Sequence, residues 1–407
     1  MSKLSSKDYI AKEEKFGAHN YHPLPVVLSR GEGIFVWDVE GKRYFDFLAA
    51  YSAVNQGHSH PKIIEALTQQ ASTLALTSRA FYNDVLGDWE EYMTKLFGYD
   101  RMLPMNSGAE ADETALKLVR KWAYKVKGIP KDEAKIVVCD GNFHGRTITI
   151  VSMSSDPDAY SHYGPYTPGF VNIPYNDLER LEEELKAPNV AGFLVEPIQA
   201  EAGVYVPEDG YLKKASELCK KYNVLFVADE IQTGLARTGK MLACDHENVR
   251  PDILVLGKAL SGGVYPVSCV LADDEVMLTI KPGEHGSTYG GNPIAGKVAM
   301  TALDVLQEEK LAENAERLGE IFRNEMKSIK SEMIETVRGK GLLNAVAIKP
   351  TQGKSAWDVC LALKENGLIA KPTHENIIRF TPPLVISEEQ MMEAISIIKT
   401  TFKKMGI

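Results

Sequence analysis

Two stretches decide the fold. The first is Val224-Leu-Phe-Val-Ala-Asp229-Glu230-Ile231-Gln232 and the second is Ile253-Leu-Val-Leu-Gly257-Lys258. Each is an apolar run of strand length that ends on a chemically active group, a carboxylate in one and an amine in the other. Asp229 and Lys258 stand about 30 residues apart, the length of one strand–crossover–strand unit. In one parallel sheet they share an edge. Further short apolar runs at 136–139, 148–153, 192–195 and 267–271 read as strands. A helical stripe of Tyr211, Leu212, Ala215, Leu218, Cys219 and Tyr222 lies between two of the runs. This alternation predicts an α/β fold with a mostly parallel central sheet flanked by helices. Ligands of such sheets gather at the carboxyl ends of the strands.

Outward from this centre, Ile34–Val39 and Arg43–Leu48 flank Glu40-Gly41-Lys42 as a hairpin, and a helix is expected over Pro61–Leu74. Another helix opens at Gly108, where Ser107 and Glu110 have capping-box spacing. After Pro293 come a long charged helical segment to about Glu335, short runs at 342–348 and 377–380, and a final helix striped with Met391, Ile395, Ile398 and Phe402. That end reads as a small α+β domain. The expected division is 1–50 contributing to the small domain, 51–295 as the large domain and 296–407 as the C-terminal small domain.

The chain has 407 residues, with 46 Lys and Arg against 55 Asp and Glu, a net charge of −9. This acidic balance is the wrong sign for a nucleic-acid partner. No run approaches the roughly 18 apolar residues of a membrane span. The five cysteines are scattered with no CxxC pair, which suits a reducing compartment. The first ten residues show neither an apolar h-region nor an Arg-rich amphipathic stretch. The expectation is a cytoplasmic protein. Gly234-Leu-Ala-Arg-Thr-Gly239-Lys240 imitates a nucleotide-phosphate loop, but Met241 stands where the metal-binding hydroxyl belongs. It reads as a polar loop.

A structural ion pair accounts for the spacing of Asp229 and Lys258 as well as any site does. The sharper reading is a pyridoxal-phosphate site, which needs a Schiff-base Lys and an Asp against the pyridinium nitrogen. Ser107-Gly108-Ala109 offers helix N-terminal N–H groups to a phosphate, or is simply a well-capped helix. His285-Gly-Ser-Thr288-Tyr-Gly-Gly-Asn-Pro293 is a tight loop able to approach an anion, or a plain loop.

With these motifs in this order, the chain resembles the class III pyridoxal-phosphate aminotransferases, from Gly17-Ala-His-Asn-Tyr-His-Pro23 to Ile378-Arg379-Phe380-Thr-Pro-Pro383. The most specific stretches are Ala228–Gly234, Gly257–Gly263 and Ser287–Asn292. The resemblance implies fold type I and a homodimer with shared active sites. It implies that Lys258 holds pyridoxal 5'-phosphate and moves the proton, that Asp229 pairs with the ring nitrogen and that Gln232 meets the phenolic oxygen. Phe143 and Ile231 would cover the two ring faces. Gly108 and Ala109 would bind the phosphate, and Thr288 would reach the phosphate of the neighbouring subunit. Tyr21 and Arg146 would hold the α-carboxylate end of L-ornithine. Arg379 would grip 2-oxoglutarate and L-glutamate, with Glu201 neutralising it in the other half-reaction and Tyr51 beside them.

The implied reaction moves the δ-amino group of ornithine to 2-oxoglutarate, in proline biosynthesis or arginine degradation. N-acetylornithine and 4-aminobutyrate are the alternative donors. Two departures bear on the substrate end. Ala200 replaces the family's usual Gly before Glu201, which narrows the backbone if φ there is positive. His144 replaces a Trp after Phe143, expected to alter the pocket rim.

Overall fold

The computed structural model describes residues 4–349 and 354–407. Seven strands form the central sheet, in the order Arg101–Met105, Ser268–Ala272, Ile253–Leu256, Leu225–Asp229, Val190–Val195, Lys135–Cys139 and Phe170–Ile173. Ser268–Ala272 runs antiparallel to both its neighbours, and the rest pair in parallel. The three middle strands, Val190–Val195, Leu225–Asp229 and Ile253–Leu256, are buried at every residue. Helices cover both faces, so these strands are continuous apolar runs rather than alternating ones. Asp229 pairs with Val255, which places Asp229 and Lys258 on one carboxyl edge of adjacent parallel strands.

Two smaller sheets flank this layer. One joins Leu28–Glu32, Phe35–Asp38 and Arg43–Asp46 to Leu368–Ile369, so the two ends of the chain share a sheet. The other runs Ile334–Lys340, Leu343–Ile348, Ile377–Phe380, Lys371–Thr373. Phe47, Phe322 and Phe380 meet between them, with ring centroids 5.4 Å apart for Phe322 and Phe380 and 6.3 Å for Phe47 and Phe380. The final helix, Glu388–Met405, buries Met391, Ile395, Ile398 and Phe402 as its stripe predicts.

Two local expectations fail, and two strands carried no sequence signal. The run at 148–153 is not a strand but contains a short helix, Ile148–Val151, packed on the Gly108–Trp122 helix. A short apolar run carries too little periodicity to separate the two states. The long segment after Pro293 is two helices, Pro293–Glu308 and Leu311–Lys327, broken where Lys310 takes φ 52°. Strands Arg101–Met105 and Phe170–Ile173 are the two edges of the sheet, with mixed burial, and their weak patterns hid them.

The loop that imitates a phosphate cradle is a strap between layers. Arg237 is fully buried and donates to the carbonyls of Leu342 at 3.0 Å and Pro382 at 2.7 Å. Beyond it, Gly319 lies against Gly341. A Cβ on Gly319 would stand 1.7 Å from the Gly341 carbonyl oxygen. Gly319→Ala is therefore expected to cost about 3 kcal/mol of stability, the upper range for overpacking. Chemical denaturation checks this, and an unchanged midpoint would contradict it.

Candidate active site

The centre is built on the two strand tips. Asp229 is 4% exposed. Its Oδ1 accepts the Ile231 N–H at 3.0 Å, and its Oδ2 meets His144 Nδ1 at 2.6 Å. Lys258 follows Gly257 into a left-handed backbone, φ 44°. Its Nζ makes no hydrogen bond or ion pair among the described residues. Burial lowers its pKa, Asp229 and Glu201 oppose that, and Arg379 adds to it. A buried amine whose charge is disfavoured is a ready nucleophile.

An anion cradle adjoins them. The helix Gly108–Trp122 is closed by the expected capping box, with Ser107 Oγ accepting from Glu110 N at 3.3 Å and Glu110 Oε2 accepting from Ser107 N at 2.8 Å. No group among the described residues accepts from the Gly108 or Ala109 N–H. These are orphan donors at the positive end of the helix dipole. A side chain at Gly108 would meet Ile231 Cδ1 at 3.0 Å, and one at Gly257 would meet Ile231 Cγ2 at 3.3 Å. Ile231 is wedged between the cradle and the lysine strand.

The third part is a buried cation. Arg379, on Ile377–Phe380, is 2% exposed. Glu201 binds it in a fork, with Oε2 2.8 Å from Nη1 and Oε1 3.3 Å from Nη2. Gln232 Oε1 is 3.5 Å from Nη1, and the guanidinium carbon lies 4.9 Å from the centroid of the Tyr51 ring. Tyr51 sits in an unusual turn. Ala49, Ala50, Tyr51 and Ser52 all have positive φ, at a cost of about 1–2 kcal/mol for each L-residue. Asp46 Oδ1 holds this turn by accepting from Leu48 N at 2.8 Å and Ala49 N at 3.0 Å. Thr381 Oγ1 donates to the Leu48 carbonyl at 3.0 Å. Such strain persists where surrounding structure imposes it, and it gathers at functional sites.

The fold thus gathers Lys258, Asp229, Ile231, Gln232, Gly108, Ala109, Glu201, Arg379 and Tyr51. Phe143 is half-buried, and its N–H donates to Glu196 Oε2 at 3.1 Å. Arg146 is exposed, its guanidinium 5.4 Å from the Phe143 ring centroid. Tyr21 is 77% exposed. Thr288 is exposed and makes no hydrogen bond within the described chain. These last three lie open on the surface of the single chain.

Two expectations change. Ala200 is not among the positive-φ residues, so replacing Gly there costs nothing; Gly203 at φ 127° and Val204 at φ 58° make the turn. His144 is not on the rim but 3% exposed behind Asp229. Sequence reading also passed over Glu196 and Asp112, both buried. Glu196 follows the strand Val190–Val195, the same signal that marked Asp229. Asp112 sits on the helix Gly108–Trp122, where acids ordinarily serve the helix dipole, so it gave no signal.

Residues 16–402 match the model of the aminotransferase class-III family. The chain belongs to that family. Ornithine aminotransferase, mitochondrial, of Drosophila melanogaster is 66% identical over 97% of this chain and 91% of its own length. The solved ornithine aminotransferase of Toxoplasma gondii, with pyridoxal phosphate at partial occupancy in its active site, has a TM-score of 0.97 at 52% identity, covering 99% of this chain and 95% of that one. The solved acetylornithine aminotransferase of Elizabethkingia anophelis is 62% identical with a TM-score of 0.91, covering 98% and 100%.

The cytoplasmic expectation is overturned by the name of the fly relative, a mitochondrial protein. All five cysteines are free and buried, as the sequence suggests, but thiol chemistry reports a redox state and not an address. Among the described residues no helix is long and apolar enough to cross a membrane.

A class-III aminotransferase works with pyridoxal 5'-phosphate, and these residues fit that group. The unclaimed Gly108 and Ala109 amides suit its phosphate, the unpaired buried amine of Lys258 suits its carbonyl carbon, and Asp229 suits its ring nitrogen.

Proposed function

We propose that this class-III aminotransferase transfers the δ-amino group of L-ornithine to 2-oxoglutarate, giving glutamate 5-semialdehyde and L-glutamate. The observation that carries the reading is the fork of Glu201 on buried Arg379. A bare guanidinium in that position would take the α-carboxylate of any amino acid and present an α-amine to Lys258. With Glu201 in place that grip is closed. Ornithine then binds through its far end, to Tyr21 and Arg146, and offers its δ-amine. When 2-oxoglutarate arrives, its carboxylate replaces Glu201 on Arg379. The names of the fly and Toxoplasma relatives support the same substrate.

Bound pyridoxal phosphate supplies an electron sink for the bond broken next to the transferred nitrogen. The residues supply the rest. Lys258 would be the covalent anchor and the base that carries the proton. Asp229 would hold a proton on the ring nitrogen. Ile231 and Phe143 would pack against the ring, Gln232 would meet its phenolic oxygen, and Gly108 and Ala109 would hold the phosphate.

The exposed positions of Tyr21, Arg146 and Thr288 support a homodimer, with Thr288 serving the phosphate site of a second copy. The shared sheet of Arg43–Asp46 and Leu368–Ile369 supports a small domain made of 1–50 and 296–407 around a cofactor-binding domain of 51–295.

Glu201→Ala tests the reading. Arg379 is buried but Glu201 is 34% exposed, so losing the pair is worth about 1–3 kcal/mol, or roughly 10- to 10²-fold. The ratio of single-turnover rates for glutamate over ornithine is expected to rise by about that factor. An unchanged ratio would sink the gate. Preference of the wild type for N-acetylornithine over ornithine would sink the substrate and favour the activity named for the Elizabethkingia protein.

A further inference from the structure

Asp112 is the buried group that the chemistry above leaves unused. It lies one turn into the helix Gly108–Trp122 and is 0% exposed. Among the described residues no donor reaches either of its carboxyl oxygens. Its neighbours make this stranger. Ligand atoms of Asp112, His144 and Asp229 all lie within 4.8 Å of one another, so the two carboxyl groups are packed together around the imidazole. The charges of Glu196 and Lys258 also act on it.

Two carboxylates cannot donate to each other, and a bare buried carboxylate with no donor is among the costliest arrangements in a protein. One shared proton removes the conflict. Asp229 is the partner of a ring nitrogen and is tied to His144 and Ile231, so the proton belongs on Asp112. Burial and the negative charges of Asp229 and Glu196 push the Asp112 carboxyl well above the usual range, and Lys258 opposes this only in part.

We propose that Asp112 is a positioning residue for Asp229: held as the neutral acid, it donates a hydrogen bond to the Asp229 carboxylate. Asp229 then receives three donors, from Asp112, His144 and Ile231. They fix its orientation and spread its charge, which sets how strongly it holds the proton on the ring nitrogen. This rests on the reading of Asp229 as the ring-nitrogen partner.

The test has two arms. In the apoprotein at neutral pH, the infrared difference between wild type and Asp112→Asn is expected to contain the C=O stretch of one protonated carboxylic acid. In the holoenzyme, the pH midpoint of the cofactor's visible absorption is expected to shift upward in Asp112→Ala. It returns to the wild-type value in Asp112→Asn, whose amide still donates. Over the same pair kcat falls about tenfold and recovers, the scale for losing a partner behind a functional group, while KM for both substrates holds.

Absence of the acid band overturns the proposal, and so does an Asp112→Ala enzyme with wild-type midpoint and kcat. If Asp112→Ala does not fold, the infrared arm on the near-isosteric Asp112→Asn decides alone. Asp229→Asn separates the two levels. A wild-type absorption titration in that variant overturns the ring-partner reading and the tuning built on it, whereas a missing acid band with an altered Asp229→Asn titration overturns only the role of Asp112.

Discussion

Lys258→Ala is expected to lower kcat by at least about 10⁴-fold, the upper range for losing a positioned proton carrier. The reason lies in the site's composition. Among the described residues, Lys258 is the one amine at the carboxyl edge of the central strands whose charge is coupled to Asp229, and its Nζ makes no competing ion pair. Its neighbours in the pocket are carboxylates, a guanidinium and amides. Asp229, Glu201 and Glu196 are the acids whose charges act on it, but none can replace an amine as a covalent anchor. Arg379 cannot be deprotonated to serve as a base. The phosphate cradle of Gly108 and Ala109 is untouched by the change, so the variant still binds cofactor, now without a covalent bond. Small primary amines added from solution are expected to restore part of the rate. Stopped-flow absorbance of a single turnover measures this directly. A variant that turns over at the wild-type rate would show that the nucleophile is elsewhere.

Asp229→Asn is the second large effect, a loss of about 10³-fold in kcat with the cofactor still covalently held. This is the scale for removing a preorganised electrostatic partner from a dry site. The substitution preserves shape. It removes the charge that keeps a proton on the ring nitrogen and disturbs the 2.6 Å contact with His144. Lys258 remains to form its bond. The two variants are therefore separable by spectrum. Lys258→Ala loses the covalent chromophore and keeps the ring proton, and Asp229→Asn does the reverse. Similar spectra from both would contradict the division of labour.

Much of this site was legible because its parts are local. Asp229 and Lys258 each end an apolar strand, and parallel pairing of those strands forces the two onto one edge. Ser107 and Glu110 announce a helix N-terminus by spacing alone. The helix–strand confusion at Ile148–Val151 and the hidden edge strands follow from runs too short or too mixed to hold a period. What remained invisible is what depends on distant packing. The left-handed turn over Ala49–Ser52 is built from residues with no preference for it, and Asp46 and Thr381 hold it there. Asp112 looks like an ordinary acid near a helix start until the fold carries Asp229 close to it. The role of His144 changed for the same reason. Only the pairing of a loop with a strand tip puts it behind the ring partner instead of on the rim. Compartment was misread because free thiols and the lack of a membrane-length run do not distinguish one reducing space from another.

The reading stands or falls on which nitrogen of ornithine moves. Ornithine labelled with heavy nitrogen at the δ-position, incubated with 2-oxoglutarate and the wild-type enzyme, is expected to deliver its label to glutamate in full. Ornithine labelled only at the α-position is expected to deliver none. Label arriving in glutamate from the α-amine would mean that Glu201 does not close Arg379 to amino acids, and would contradict the account at its centre.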